Sequence, residues 1–436
     1  MTQEAERNGS KIFDSIVRNF AESLDSLLLS LPNVMAIMER ELNALGKSLS
    51  DFIEKHATES VEDESGVKKI TLSGPQVPRF LKQQRLHSRG LKAYHLIHRS
   101  YLISLISQYD AFLGCLLREV YNEKPERLKA SEKQFSFKDL TEFGSIDEAR
   151  ERLVEREVDD VIRKSHEDQL EWVARELRLE AKKFIAEIPQ FVEVAQRRHL
   201  FVHTDGVVSR QYLSKCQAAG AKLDEDLEPG RQLEVSKDYI EAAFEVVYSV
   251  GVKLGIAIWL NSRKGDFVQA DQCANHLAFE LLTNERYKLT ISLLEYALSP
   301  NRKDFSEPAR RCQILNLAQA HKWLGDQAAC NRILDGHDWN ASSDALRLGE
   351  AVLRDNFEAA YGFVRKLAHD PEFKRESYYE WPIFKEIRKE TEFIAVFEEA
   401  YGEPFSQKVV APDPKENEEK ENDNATQQPE PENEEG

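Results

Sequence analysis

Cysteine is scarce in this sequence, and its five cysteines are scattered without a Cys-x-x-Cys pair. That distribution disfavours both a disulfide framework and a cysteine zinc site, and it fits a reducing compartment. Glycine and proline are also few, at 19 and 15 of 436 residues. A loop-rich β-sandwich would have more of both, whereas abundant surface charge is typical of helices. The composition therefore predicts an all-α fold.

The chain also lacks the marks of export and of membrane insertion. Its first residues include acids and no apolar run, so they do not resemble a secretory signal. The one stretch worth testing as a membrane span, residues 242–260, contains Glu245 and Lys253, and each charge is costly at a bilayer centre. We expect a buried core helix there, no membrane partner and a cytoplasmic location.

Charge is distributed unevenly along the chain. The net charge is −18, which taken whole disfavours a nucleic-acid partner. However, residues 412–435 hold ten acids against two lysines, and with almost no apolar side chains the segment 408–436 is predicted to be a disordered acidic tail. Residues 65–109 contain eight basic residues and no acid. This stretch is a local positive field in an acidic protein.

The length argues for two or three domains, because one hydrophobic core rarely serves so many residues. Residues 1–78 are predicted to form an N-terminal helical segment, broken into two helices at Leu31-Pro32, and a polar linker over residues 56–77. Residues 79–262 show the periodicity of a helical bundle. Its long helix is expected over residues 88–121, and a second continuous helix over residues 170–203.

Four basic residues of the bundle are spaced by four, three and seven positions, which places them along one helical face. They are Arg85, Arg89, Lys92 and Arg99. A solvated helix face and a stripe that binds the RNA backbone both fit this pattern.

Residues 266–402 carry a weak repeat of three segments, each with two amphipathic helices around a short polar turn. The segments are similar to tetratricopeptide repeats, and Leu324-Gly325-Asp326 matches the small-residue turn of that family. The spacing is irregular, since Asn284, Gly325 and Asp355 are 41 and 30 residues apart against about 34 in the family. Stacked repeats of this kind imply a concave surface for a protein partner.

The most distinctive segment is QRRHLFVHTDGVVSRQYL, residues 196–213. Arg198, a polar residue, three further residues and His203 resemble the hallmark of the HEPN superfamily, and residues 109–113 (YDAFL) are similar to an upstream helix of its bacterial members. The chain departs from the family at His199, where asparagine is commonest.

This resemblance implies a helical bundle that forms a homodimer, lines one groove with two motifs and cleaves RNA without a metal or other cofactor, often in bacterial stress or phage defence. Arg198 would stabilise charge on the phosphate, and His203 would transfer a proton, with His199 beside them. Guanidinium binds phosphate oxygens in a fork and imidazole titrates near neutral pH, so these residue types suit the chemistry. Arg197 and the basic helix face would contact the RNA.

Other interpretations of the motif stay open. The two arginines and His203 could simply satisfy the carbonyl groups at a helix C-terminus. His199 and His203 have a spacing that can chelate zinc, but Leu200 stands where a metalloprotease helix carries glutamate, so no metal is predicted. The alternative function is a non-catalytic scaffold of bundle and repeats that binds RNA or protein. Retention of both Arg198 and His203 favours the enzyme.

Overall fold

The computed structural model describes residues 3–62, 68–130, 135–300, 302 and 304–406. These residues are mainly helical, with one small antiparallel sheet of two strands among them. The all-α prediction is therefore confirmed. The predicted tail, residues 408–436, lies outside the described residues. By their internal contacts the described residues fall into two compact units, which divide between Asp338 and Trp339.

The strands are β1 (Ala57–Glu62) and β2 (Lys68–Leu72). The helices are α1 (Gln3–His56), α2 (Val77–Glu123), α3 (Phe137–Glu142), α4 (Ile146–Ile162), α5 (His166–Glu176), α6 (Ile188–His203), α7 (Arg210–Ala219), α8 (Lys237–Ser262), α9 (Phe267–Thr283), α10 (Tyr287–Ala297), α11 (Glu307–Trp323), α12 (Gln327–Asp335), α13 (Asp344–Leu353), α14 (Phe357–Leu367), α15 (Ser377–Glu380) and α16 (Thr391–Tyr401).

The first unit opens with a long hairpin of α1 and α2. The break predicted at Leu31-Pro32 is wrong, because Pro32 lies inside the continuous helix α1. Leu28, Leu31 and Met35 are all buried in the core, so packing on both sides of the proline holds the helix together despite its lost backbone hydrogen bond. The linker predicted over residues 56–77 is also wrong where the structure describes it, since β1 and β2 pair there as antiparallel strands.

Helix α8 lies at the centre of the first unit and contacts α1, α2, α6 and α10. Two glycines permit this close packing. A Cβ atom on Gly251 would lie 2.2 Å from the Phe20 ring, and one on Gly255 would lie 2.7 Å from the Phe112 ring. Phe20 and Phe112 themselves stack with ring centroids 4.1 Å apart. The buried core helix expected over residues 242–260 is confirmed, and α1 shares the same core.

The continuous helix expected over residues 170–203 is instead two helices, α5 and α6. Helix α5 ends at Glu176, Arg178 adopts a left-handed backbone with φ 55°, and Pro189 occupies the first turn of α6. Proline suits that position, because its missing N–H is not needed in a first helical turn. The interruption sets the direction in which α6 carries the motif.

Helical hairpins occur at all three segments of the predicted repeat, as α9–α10, α11–α12 and α13–α14. Each turn contains one left-handed residue, which is Glu285, Gly325 or Asp355. The next backbone N–H donates to the carbonyl five residues earlier, over 2.7 to 2.9 Å. The first two hairpins belong to the first unit, where α9 also packs on α1 and α8. The boundary predicted near residue 264 thus falls inside that unit.

The second unit holds the third hairpin and an aromatic cluster. Tyr378, Phe384, Phe393 and Phe397 are each at most 1 % exposed. Tyr378 contacts the other three rings at centroid distances of 5.3 to 5.9 Å. These aromatic side chains supply the core of the unit after α14.

Candidate functional site

The motif lies on the last turns of α6, whose other side is buried against the core. Phe191, Val192 and Ala195 are at most 3 % exposed. The helix ends after His203, where the Thr204 and Gly206 N–H groups both donate to the Leu200 carbonyl, at 2.8 and 3.1 Å. The predicted stop at residues 204–206 is confirmed.

Gly206 is required at this stop for two reasons. Its φ is +85°, a conformation that side chains other than glycine rarely adopt. In addition, a Cβ atom there would lie 2.4 Å from the ring of Phe201. The chain can therefore turn sharply behind His203, and the exposed imidazole stays at the end of the helix.

The structure brings the three predicted catalytic residues to one cavity of about 420 Å³. Arg198 is half-buried, whereas His199 and His203 are exposed. The two imidazole rings are 4.4 Å apart between centroids and tilted by 47°. Among the described residues, Arg198 has no carboxylate partner, and its buried Nε atom has no hydrogen-bond acceptor. Its positive charge is available to a ligand.

Further basic side chains reach this cavity from other elements. Arg163 and Lys164 come from the turn between α4 and α5, Lys215 comes from α7, and His166 comes from the first turn of α5. They converge with α6 only in three dimensions, so the sequence alone did not indicate them. Ser165 was a usable signal, since its hydroxyl accepts from the Asp168 N–H and fixes the start of α5. Arg163 pairs with Asp159 at 3.4 Å and Lys215 with Glu167 at 3.6 Å, so part of this charge is neutralised and the cavity keeps a smaller excess of positive charge.

Asp110 is the acid of this cavity, and it lies on α2 within the YDAFL segment. The His166 Nε2 atom is 3.1 Å from Asp110 Oδ1. Gln169, which is 1 % exposed, donates from Nε2 to the Ile162 carbonyl over 3.1 Å. These contacts hold the α4–α5 turn beside α6.

The pKa of His199 is lowered from its ordinary value. The side chain is exposed at its surface, but partial burial of the imidazole is the largest cause, and the nearby groups His203, Lys215 and Arg198 add to it. His199 is thus neutral over a wider pH range than a free histidine and can accept a proton or a hydrogen bond.

Arg197 faces a different environment from Arg198. Its Nε atom donates to Glu193 over 2.7 Å, and its guanidinium lies 4.0 Å from the centre of the Tyr239 ring. The Tyr212 and Tyr239 hydroxyls also donate to Glu193, at 2.6 and 2.7 Å. The Arg197 side chain is only 13 % exposed. This buried network favours a structural role for Arg197 over the RNA contact expected from sequence.

The predicted basic face of α2 divides into two parts. Arg85, Arg89 and Lys92 are exposed. Arg99 instead hydrogen bonds to Asp205, two residues after His203, and lies 5.0 Å from the centre of the Phe201 ring. The Arg99 guanidinium holds the pKa of the Asp205 carboxyl below its usual value.

Lys92 and Arg99 line a second cavity, of about 320 Å³, together with Asp205 and Gln232. Gln232 donates from its side chain to the Asp205 carbonyl over 2.6 Å. Arg99 therefore braces the turn behind the motif, and it lies in a different cavity from Arg198 and His203.

Comparison of the chain with protein-family models, with curated proteins and with solved structures gives no match. Two helical stretches, Gly74–Glu123 and Lys237–Ser262, are long and apolar enough to cross a bilayer by length and composition, a weak criterion that buried core helices also meet. In the more apolar stretch, Lys237–Ser262, 83 % of the apolar window is buried inside the protein. Within the described residues, no group of three or more His, Cys, Asp or Glu side chains is arranged to hold a metal ion.

Proposed function

We propose that the protein is a metal-independent endoribonuclease of the HEPN type. The observation that carries the proposal is the shared cavity of Arg198, His199 and His203, in which the arginine has no acidic partner among the described residues. If the Arg198 guanidinium only capped the helix, its position in a basic cavity would have no explanation. The same side chains in this cavity suit a bound phosphodiester.

The proposed reaction is attack by an RNA 2′-hydroxyl on the adjacent phosphorus. A P–O2′ bond forms and the P–O5′ bond breaks, which leaves a 2′,3′-cyclic phosphate and a 5′-hydroxyl. The proton lost by the 2′-hydroxyl and the proton gained by the 5′-oxygen pass through imidazole, with His203 as the main transfer group. Arg198 stabilises the added negative charge on the phosphoryl oxygens.

The remaining cations of the cavity would hold neighbouring phosphates of the RNA. Arg163, Lys164 and Lys215 surround the motif, and Arg85, Arg89 and Lys92 offer a further exposed stripe on α2. Each phosphate contact releases counterions, so binding should weaken steeply with added salt. The acidic net charge is no obstacle, because the local field near the site is positive.

The proposal includes a homodimer, as the family resemblance implies. Three apolar side chains near the motif are exposed, namely Leu96 at 44 %, Val202 at 45 % and Val207 at 36 %. Apolar groups beside a polar site are a common component of an interface. A cytoplasmic location and a protein partner on the repeats are parts of the same proposal.

The test is cleavage of total RNA by the purified full-length chain in EDTA. We expect products with 2′,3′-cyclic or 3′-phosphate ends from the wild type, and at least about a hundredfold less cleavage from His203→Ala. His369→Ala is the matched control, because His369 is exposed and lies outside the cavity. Equal cleavage by wild type and His203→Ala would mean that the activity is a contaminant. RNA binding without cleavage would favour the scaffold instead.

A further inference from the structure

A larger cavity lies in the same unit, between α1, α8, α9 and the turn that joins α9 to α10. Its volume is about 800 Å³, and none of its lining residues lines the cavity of His203. Ala21 and Leu277 form part of the wall, and most other lining side chains are polar or charged. The proposed ribonuclease makes no use of this cavity.

The charged side chains of this cavity do not balance. Arg18 donates to Asp14 over 3.0 Å, so these two charges neutralise each other. Three more acids line the cavity, Glu22, Asp25 and Glu280, and within the described residues none of them forms an ion pair. Arg286 is the remaining arginine, and it lies 5.2 Å from the centre of the Phe244 ring. The cavity therefore carries an excess of negative charge.

A buried tyrosine supplies independent evidence for a ligand. Tyr248 on α8 is 1 % exposed, yet it lines the cavity. Its hydroxyl has no hydrogen-bond partner among the described residues. A buried hydroxyl without a partner is costly, so such groups in folded proteins usually meet a ligand, a side chain or water.

Asp25 lines the same cavity and is only partly exposed. Burial raises the pKa of Asp25 to about 6, while Arg286 lowers it and Glu280 raises it further. The charge of Asp25 in turn helps to raise the pKa of Tyr248. The carboxylate thus lacks a sufficient positive partner within the protein.

We propose that this cavity binds the primary ammonium or guanidinium group of a flexible organic cation, with Asp25 as counter-charge and the Tyr248 hydroxyl as acceptor. Glu22 and Glu280 line the same cavity and can hold a second cationic group of the ligand. An anion would be repelled by these acids, and a neutral ligand would leave Asp25 without compensation. The cation is either a free polyamine or a basic side chain of a partner.

Calorimetric titration of the full-length protein tests the proposal with two probes. One probe is spermidine, and the other is a short blocked peptide that contains two arginines. We expect saturable binding of at least one probe to the wild type, and at least tenfold weaker binding to Asp25→Asn and to Tyr248→Phe. The matched control is Glu151→Gln, which removes an exposed acid of α4 outside the cavity.

The control matters because residues 412–435 hold ten acids that attract any polycation. Non-specific binding of that kind is the same in every variant. Selective binding of spermidine would identify a free polyamine, and selective binding of the peptide would identify a basic partner segment. The proposal would be overturned if neither probe bound the wild type saturably, or if wild type, Asp25→Asn and Tyr248→Phe, all folded by circular dichroism, bound both probes equally. No RNA is present, so this result is independent of ribonuclease activity.

Discussion

Arg197 and Arg198 are consecutive residues of α6 with different surroundings. Arg197 is 2.7 Å from Glu193 in a buried network with two tyrosines, whereas Arg198 lines the basic cavity and has no acidic partner among the described residues. Consecutive helical positions point about 100° apart, so one arginine can face the core while the next faces a ligand. Removal of Arg198 should therefore affect mainly RNA cleavage, and removal of Arg197 should affect mainly stability.

Arg198→Ala should lower RNA cleavage by roughly a hundredfold, because a charge-stabilising group is lost. Its melting temperature should change little. Arg197→Ala should instead reduce the free energy of unfolding by about 3 kcal/mol, since it leaves the Glu193 carboxylate buried without its partner. Chemical denaturation and a cleavage assay on both variants measure the changes in unfolding free energy and in RNA cleavage. A destabilised Arg198→Ala protein with normal specific activity would contradict the assignment.

His199→Asn restores the residue that is commonest in the family at this position. The substitution keeps a hydrogen-bonding side chain beside His203, so cleavage in EDTA should stay within about tenfold of wild type, far above the level of His203→Ala. The lowered pKa of His199 means that this residue is mostly neutral at pH 7.5 in the wild type. The exchange for a neutral amide should therefore leave the charge of the site nearly unchanged. Loss of cleavage together with zinc dependence would support a metal pair instead.

Gly206→Ala should destabilise the C-terminal end of α6. The backbone there has φ +85°, and the new methyl group would meet the Phe201 ring. We expect a loss of more than about 2 kcal/mol in the free energy of unfolding, and weaker cleavage because His203 is displaced. Gly220→Ala is the matched control, with φ +79° but no atom within 4 Å of the added Cβ. It should lose only about 1 kcal/mol and keep full activity. Equal losses in both variants would show that the Phe201 contact is unimportant.

The sequence predicted the helical class, the stop after His203 and the three helical hairpins, because these depend on local patterns. Amphipathic periodicity and a left-handed glycine are visible in a few consecutive residues. It did not predict the continuity of α1 through Pro32. That continuity comes from tertiary burial of Leu28, Leu31 and Met35, which a local rule for proline does not include.

The candidate site was only partly predictable for the same reason. Arg198, His199 and His203 lie in one short segment and share one cavity. Lys215 reaches that cavity from a different helix, and the partners of Arg197 are up to 42 residues away at Tyr239. Contacts between distant segments have no local signature in a single sequence. The structural role of Arg197 became visible only in the folded chain.

The homodimer should be tested on the full chain. A fragment of residues 79–262 would lack α1, which packs on α2 and α8, and would expose their apolar surfaces. Light scattering at tens of micromolar should give twice the mass of one chain. Leu96→Glu replaces a 44 % exposed leucine and should shift the protein toward monomer while leaving circular dichroism unchanged. A wild type that is monomeric at this concentration would argue strongly against a shared groove.

Asp25→Asn should stabilise the protein at neutral pH even as it weakens cation binding. The pKa of Asp25 is raised from 3.8 to about 6 on folding, so between these values the folded state binds more protons than the unfolded state. Stability from this group therefore falls as pH rises through that window.

The full shift would be worth about 3 kcal/mol, and solvent screening of this partly exposed carboxyl reduces the expected gain in Asp25→Asn to about 1 kcal/mol at pH 7.5. At pH 3.5 Asp25 is protonated in the folded wild type and mostly protonated in the unfolded chain, so the unfolding free energies of the two proteins should nearly converge. Chemical denaturation of wild type and Asp25→Asn at pH 3.5 and 7.5 measures the difference in their unfolding free energies. The other charges of the cavity are the same in both proteins, so their contributions cancel in this difference. A variant that is less stable than wild type at pH 7.5 would show that Asp25 has a compensating partner in the folded protein. The cavity would then have no unpaired negative charge at Asp25 to bind a cation.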